Sequence, residues 1–140
     1  MADRDVLEAR VESIRRCIDR IRTKTPTSAK ELENDYDAQD IISINLQRAV
    51  QLSVDVGMHL ISLRGWSTPD TMAGTFTVLV DNNVLERDIA ERMRRGVGFR
   101  NISVHEYQDV DWQLVYRLVT ERLDDFRAFI DRVLSAWEAQ

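Results

Sequence analysis

Hydrophobic positions recur along this chain at intervals of three and four, the period of amphipathic helices. Leu7, Val11, Ile14, Ile18 and Ile21 form one stripe, and Arg10, Arg15, Arg16, Arg20 and Arg22 mostly cover the remaining surface. This predicts helix 1 over residues 4–22. It ends at Thr25-Pro26, since the residue before proline is pushed out of helical angles. Thr27 or Ser28 can cap helix 2, with Glu31 placed to close a capping box. That helix is expected unbroken to about Leu63, with Leu32, Tyr36, Ile42, Leu46, Ala49, Val50, Val54, Met58 and Ile61 in a broad apolar stripe. Such breadth implies burial against more than one neighbour. Gly57 within it marks either close helix contact or a small local cost. Residues 64–69 read as a turn, with Thr68 as cap and Pro69 at a first helical position. Helix 3 is expected over about 70–80, directing Met72, Phe76, Leu79 and Val80 inward, and Asp81-Asn82-Asn83 makes the next turn. Helix 4 is expected from near Val84 through Leu85, Ile89, Met93 and Val97. Asp109 or Asp111 caps helix 5, which carries Trp112, Val115, Val119, Phe126, Ile130, Val133 and Trp137. The expected fold is all-α, an up-down bundle of four to five helices forming a single domain over 1–140.

Composition supports few, long helices: five glycines and two prolines leave little turn punctuation. The formal charge is −5, whereas a protein that holds duplex DNA non-specifically is normally basic. A helix-turn-helix DNA-binding protein is therefore disfavoured, and any nucleic-acid contact must come from a local patch. Residues 84–100 form one candidate, where five arginines against three acids leave +2. Cys17 is alone, so no intramolecular disulfide or cysteine metal site can form, and its place in an apolar stripe reads as core. No apolar run reaches the roughly 18 residues of a membrane span. The charged start Met-Ala-Asp-Arg-Asp lacks a signal-peptide segment. A cytoplasmic protein without membrane contact is expected. His59, on a core-forming helix, reads as a satisfied, partly buried residue.

The candidate chemistry lies in Arg100-Asn101-Ile102-Ser103-Val104-His105-Glu106-Tyr107. At roughly 100° per residue, Arg100, Asn101, His105 and Tyr107 fan over one half of a helix, while Ile102, Ser103 and Glu106 fall on the other. A proton-transferring group, a fixed cation, an amide and a phenol on one face suit phosphodiester cleavage. Histidine, with an ordinary pKa of about 6.5, exchanges protons near neutrality, and arginine forks onto phosphate oxygens. Gly96 and Gly98, one turn earlier, let a backbone or substrate approach. Asn45 and Arg48, polar amid apolar neighbours, are either exposed or locally paired groups, or supports of the site. No carboxylate-histidine cluster has metal-ligand spacing, so neither metal nor cofactor is expected. The competing reading is a non-catalytic helical module for dimerisation or partner binding, with the same four side chains as an interfacial hydrogen-bond network.

The string Val97-Gly98-Phe99-Arg100-Asn101-Ile102-Ser103-Val104-His105-Glu106-Tyr107 resembles the HEPN superfamily, in particular its HepT subgroup of toxins. Leu46-Gln47-Arg48-Ala49, the Gly65-Trp66…Pro69 turn and the helix order carry the resemblance over nearly the whole chain. The resemblance implies a metal-independent ribonuclease acting as a homodimer, with two motifs facing across a cleft to cut RNA. It makes Arg100 and His105 catalytic and gives Asn101 a site-orienting role. It also implies a nucleotidyltransferase antitoxin that adenylylates the motif tyrosine, here Tyr107.

Overall fold

The computed structural model describes residues 2–105 and 110–139. Among them are seven helices and no strand: α1 (Ala2–Lys24), α2 (Ala29–Asn34), α3 (Tyr36–Arg64), α4 (Met72–Asp81), α5 (Arg87–His105), α6 (Trp112–Glu121) and α7 (Asp124–Glu138). The count exceeds the expected four to five because two expected helices are each broken once.

The first break is at Asp35, which has extended angles and serves both neighbours. Its N–H closes the end of α2 on Leu32 O, and its carboxylate accepts from the Ala38 N–H at 3.0 Å to start α3. Buried Gln39 reinforces the corner by donating to the Leu32 and Glu33 carbonyls. The break resets the helical phase, so Tyr36, expected in the apolar stripe, is 74% exposed. The second break is softer. Asp125 N–H and Phe126 N–H reach back three residues, to Arg122 O and Leu123 O. These tight turns rotate α7 relative to α6 without any glycine or proline.

Other boundaries follow local capping. Ser28 accepts from the Glu31 N–H while Glu31 accepts from the Thr27 N–H and hydroxyl, a capping box reaching one residue further back than the usual form. Thr71, not Thr68, caps α4 by accepting from the Gly74 N–H, which leaves Pro69 in the preceding loop. Gly65 ends α3 at φ 72°, a left-handed angle that glycine adopts without strain. Asn83 also lies at φ 62°. It folds Val84 and Leu85 back so that both N–H groups bond Leu79 O and both side chains are buried. That use of Val84 and Leu85 explains why α5 starts only at Arg87.

Helix α3 is the centre of the bundle, packing on α1, α4, α5 and α7. Asp3 meets His59, and the Arg16–Arg20 turn lies against Ile41–Leu52, so α1 runs antiparallel to α3. Gln47 meets Ser103 and Val50 meets Gly96, so α5 is antiparallel too. Gly57 faces Phe129 and Arg64 reaches the Ala136 carbonyl, so α7 runs parallel. The result is the expected up-down bundle, with α2 laid across α6 and α4 against α3 and α5. At Gly57 the close approach is real: a Cβ there would sit 2.7 Å from Thr75 Cγ2 and 3.2 Å from Leu79 Cδ1. The α1 stripe of Leu7, Val11, Ile14, Cys17, Ile18 and Ile21 is buried throughout, which places Cys17 in the core. Burial pushes its thiol pKa up, against the opposing pull of Arg48 and Arg16. His59 is partly buried as expected, 3.0 Å from Asp3 and edge-on to Trp137 at 5.1 Å. No helix among the described residues is long and apolar enough to cross a membrane.

Candidate active site

Residues 100–105 of the motif form the end of α5. Helix packing delivers it there: Val97 and Met93 are buried, and the backbone at Gly96 lies so close to α3 that a Cβ would meet Val50 Cγ2 at 3.3 Å. Gly98, by contrast, faces open space. Of the two glycines, one serves contact with a neighbouring backbone helix and the other leaves the surface beside the motif open.

Ser103, which sequence reasoning placed away from the chemistry, is the residue that anchors the motif. It is buried, donates to Arg100 O at 3.0 Å, and accepts from Gln47 Nε2 of α3 at 3.1 Å. A side-chain bond between residues 56 positions apart thus ties the motif turn to the central helix. Asn45 and Arg48, considered as supports, do not take this part. Asn45 is buried and donates to Ile41 O of its own helix, while Arg48 is exposed. The support is the residue between them in number, Gln47. Its only signal was its place in the Leu46-Gln47-Arg48-Ala49 string.

Arg100 is half-buried and donates to Asn101 Oδ1 at 3.2 Å. The arginines just ahead are otherwise engaged. Arg92 bonds Asp125 at 2.8 Å, and Arg94 bonds Glu91 at 2.9 Å with Arg95 alongside. The Arg94 hydrogen bond holds the Glu91 carboxyl below its ordinary range. These pairs tie up individual guanidinium groups but leave the +2 of the segment in place, since Glu91 is already counted in it and Asp125 on Arg92 is matched by Arg132 on Glu86. Among the described residues, Arg100 has no carboxylate within ion-pair distance, which leaves a fixed cation for an outside anion. His105 closes α5 with a helical backbone. Its side chain, and Tyr107 altogether, lie outside the described residues.

Beside the motif is an apolar groove of about 550 Å³ between α5 and α6. Gly98, Phe99, Ile102, Val110 and Leu114 line it, and Ile102 and Leu114 are each more than 40% exposed. Asp111 caps α6 at its edge, accepting from the Gln113 and Leu114 N–H groups. Among the described residues no group of three or more histidine, cysteine or acidic side chains could hold a metal ion.

The family model for ribonuclease HepT-like proteins matches residues 14–133. An mRNA nuclease HepT from Shewanella oneidensis is 31% identical over 127 residues, covering 91% of this chain and 95% of that protein. A tRNA nuclease HepT from Aphanizomenon flos-aquae is 25% identical, covering 93% of this chain and 88% of that protein. The solved tri-AMPylated HEPN toxin of Shewanella oneidensis, in complex with an MNT antitoxin, superposes with a TM-score of 0.87 at 31% identity. The match covers 94% of this chain and 98% of that one.

Proposed function

Because this chain belongs to the HepT-like ribonuclease family, we propose that Arg100 and His105 are the catalytic groups of a metal-independent RNA-cleaving toxin. Asn101 is its orienting amide. The observation that carries this reading is the cation: Arg100 is held at Asn101, fixed by Ser103 to the central helix, and paired with no carboxylate among the described residues. In the reaction, His105 takes the proton from a ribose 2′-hydroxyl as its oxygen attacks phosphorus. Arg100 neutralises charge on the phosphorane oxygens, and a second protonated group delivers a proton to the departing 5′-oxygen. The P–O5′ bond breaks as the P–O2′ bond forms, so the products are a 2′,3′-cyclic phosphate and a 5′-hydroxyl.

One motif supplies one histidine, yet the reaction needs both a base and an acid. A homodimer with two motifs facing one cleft supplies both. The apolar groove beside the motif supports this arrangement, since Ile102 and Leu114 stand exposed where a second copy would cover them. The partner that restrains the toxin is a nucleotidyltransferase antitoxin, and the acceptor is Tyr107. The related Shewanella oneidensis toxin is AMPylated and bound to an MNT antitoxin. An AMP phosphodiester on Tyr107, seven residues after Arg100 in sequence, would compete for the cation that RNA requires. We place the protein in the cytoplasm, with its RNA substrates, as one domain over 1–140. The test is induced expression of the wild type beside His105→Ala, with growth and RNA integrity followed together. Arrest with fragmented RNA in the wild type alone is expected. Equal arrest by both proteins contradicts the assignment and favours a non-catalytic partner-binding module.

A further inference from the structure

We infer that the groove between α1 and α3 is a second RNA-contacting surface, which holds the phosphodiester backbone of single-stranded RNA on its way to the motif. It rests on the ribonuclease reading above for its connection to catalysis, but not for binding itself.

The groove measures about 600 Å³. Arg16 and Arg20 rise from α1 and Arg48 from α3, around a floor of Ile41, Ile44 and Leu52. All three arginines are exposed, and among the described residues none forms an ion pair. In a chain of −5 such a concentration of free cations stands out. No carboxylate lines the groove. Glu12 and Asp19 of α1 flank this face, about 40° and 60° around the helix from Arg16, but neither lines the groove. On α3, Asp37 and Asp55 lie on the same stripe as Arg48 but beyond it, about 16 Å and 10 Å along the helix. Asp55 also accepts a hydrogen bond from Gln51. The guanidinium groups converge: both Arg48 and Arg16 act on the buried Cys17 thiol, countering the burial that pushes its pKa up.

Three features favour an RNA backbone. Arg16 and Arg20 are four apart, so their Cβ atoms stand about 5–6 Å from each other along one row. Arg48 faces them from the other helix, making a rake of forks suited to successive phosphates. The apolar floor, with Ile44 41% exposed, can cover ribose and base faces. No aromatic side chain lines it, so it reads backbone instead of base identity. Finally, it adjoins the active site. Gln47, which holds Ser103 on the motif helix, is the residue next to Arg48, about 100° around α3. A strand leaving the motif can pass over Gln47 into the groove.

The experiment measures binding of a fluorescent single-stranded RNA whose riboses are 2′-O-methylated, so that it cannot be cut, across a salt series. Each phosphate neutralised on a single strand contributes about 0.7 to the slope of log K against log salt. The variant Arg16→Ala/Arg20→Ala/Arg48→Ala is expected to lose about 2 from that slope, and the triple lysine variant to keep it. On cleavable long RNA the alanine variant should show a raised KM and an unchanged kcat at saturation. Melting temperature controls for folding. Should the triple variant fail to fold, each single alanine variant is expected to lose about 0.7. An unchanged slope overturns the proposal. If that slope is unchanged but the complex with the AMP-transferring antitoxin is lost, the groove belongs to a protein partner instead. A reduced slope in a protein that cleaves no RNA sinks the ribonuclease reading and leaves the groove standing.

Discussion

Replacing Ser103 by alanine should damage catalysis more than it damages the fold. The substitution removes the hydroxyl that accepts from Gln47 and donates to the Arg100 carbonyl. A neutral intramolecular hydrogen bond contributes about 1 kcal/mol net, and Gln47 is only half-buried, so its freed amide recovers part of its hydration. Alanine regains up to about 0.5 kcal/mol of helix propensity over serine. The net loss is then about 0.5–1 kcal/mol. With an unfolding entropy near 2.1 cal/mol/K per residue over 140 residues, this lowers Tm by only about 2–4 °C. The consequence at the site is larger, because the turn carrying Arg100 loses its side-chain tie to α3. Misplacement of a catalytic group by about 1 Å can cost on the order of 10²-fold, so kcat should drop about 10- to 100-fold with KM little changed. The assay is steady-state cleavage of a fluorogenic RNA alongside calorimetric melting. Gln47→Ala and the double variant complete a cycle whose coupling should be about 0.5–1.5 kcal/mol in stability. Wild-type kcat in Ser103→Ala, or strict additivity in the cycle, would refute the claim that this bond positions the motif.

Further outcomes follow from other parts of the structure. Gly57→Ala should destabilise by about 1–3 kcal/mol, since its Cβ would press on Thr75 Cγ2 at 2.7 Å, and adding Thr75→Ser should recover most of the loss in thermal melts. Light scattering at micromolar concentration should give a dimer, and Ile102→Asp with Leu114→Asp should shift it toward monomer while the monomer stays folded. Tyr107→Phe should acquire no AMP mass when co-expressed with a cognate nucleotidyltransferase; mass mapping to Tyr36 or Tyr116 in the wild type would contradict the mechanism.

What the sequence made legible was whatever repeats or caps locally. The α1 stripe is buried residue for residue, Ser28 and Asp111 cap where expected, and the Asp81–Asn83 turn ends α4. Two helix breaks were not legible. Asp35 sits in a polar run where an aspartate reads equally as surface helix or as cap, and only its two hydrogen bonds show that it is both a stop and a start. The Arg122–Leu123 corner involves no glycine or proline and keeps Leu123 buried, so the apolar period runs through it. At the site, Arg100 donates to Asn101, a contact that adjacent helical positions do not by themselves predict. The Gln47–Ser103 tie spans 56 residues, and no periodicity reports a polar pair across helices. The same is true of the α1/α3 groove: Arg16 and Arg20 read as part of a solvated face and Arg48 as a polar group amid apolar neighbours, and only packing sets them around one groove.

The most direct measurement is cleavage of a defined RNA by purified wild type, Arg100→Ala and His105→Ala in the presence of a chelator, with folding and oligomeric state checked for each. The wild type should cut, leaving a 2′,3′-cyclic phosphate. Loss of the proton-transferring histidine should cost about 10²–10⁴-fold. Loss of the charge-stabilising arginine should cost about 10²–10³-fold, with both variants folded and dimeric. Cleavage that disappears from the wild type in chelator, or that persists in both variants, would contradict the account.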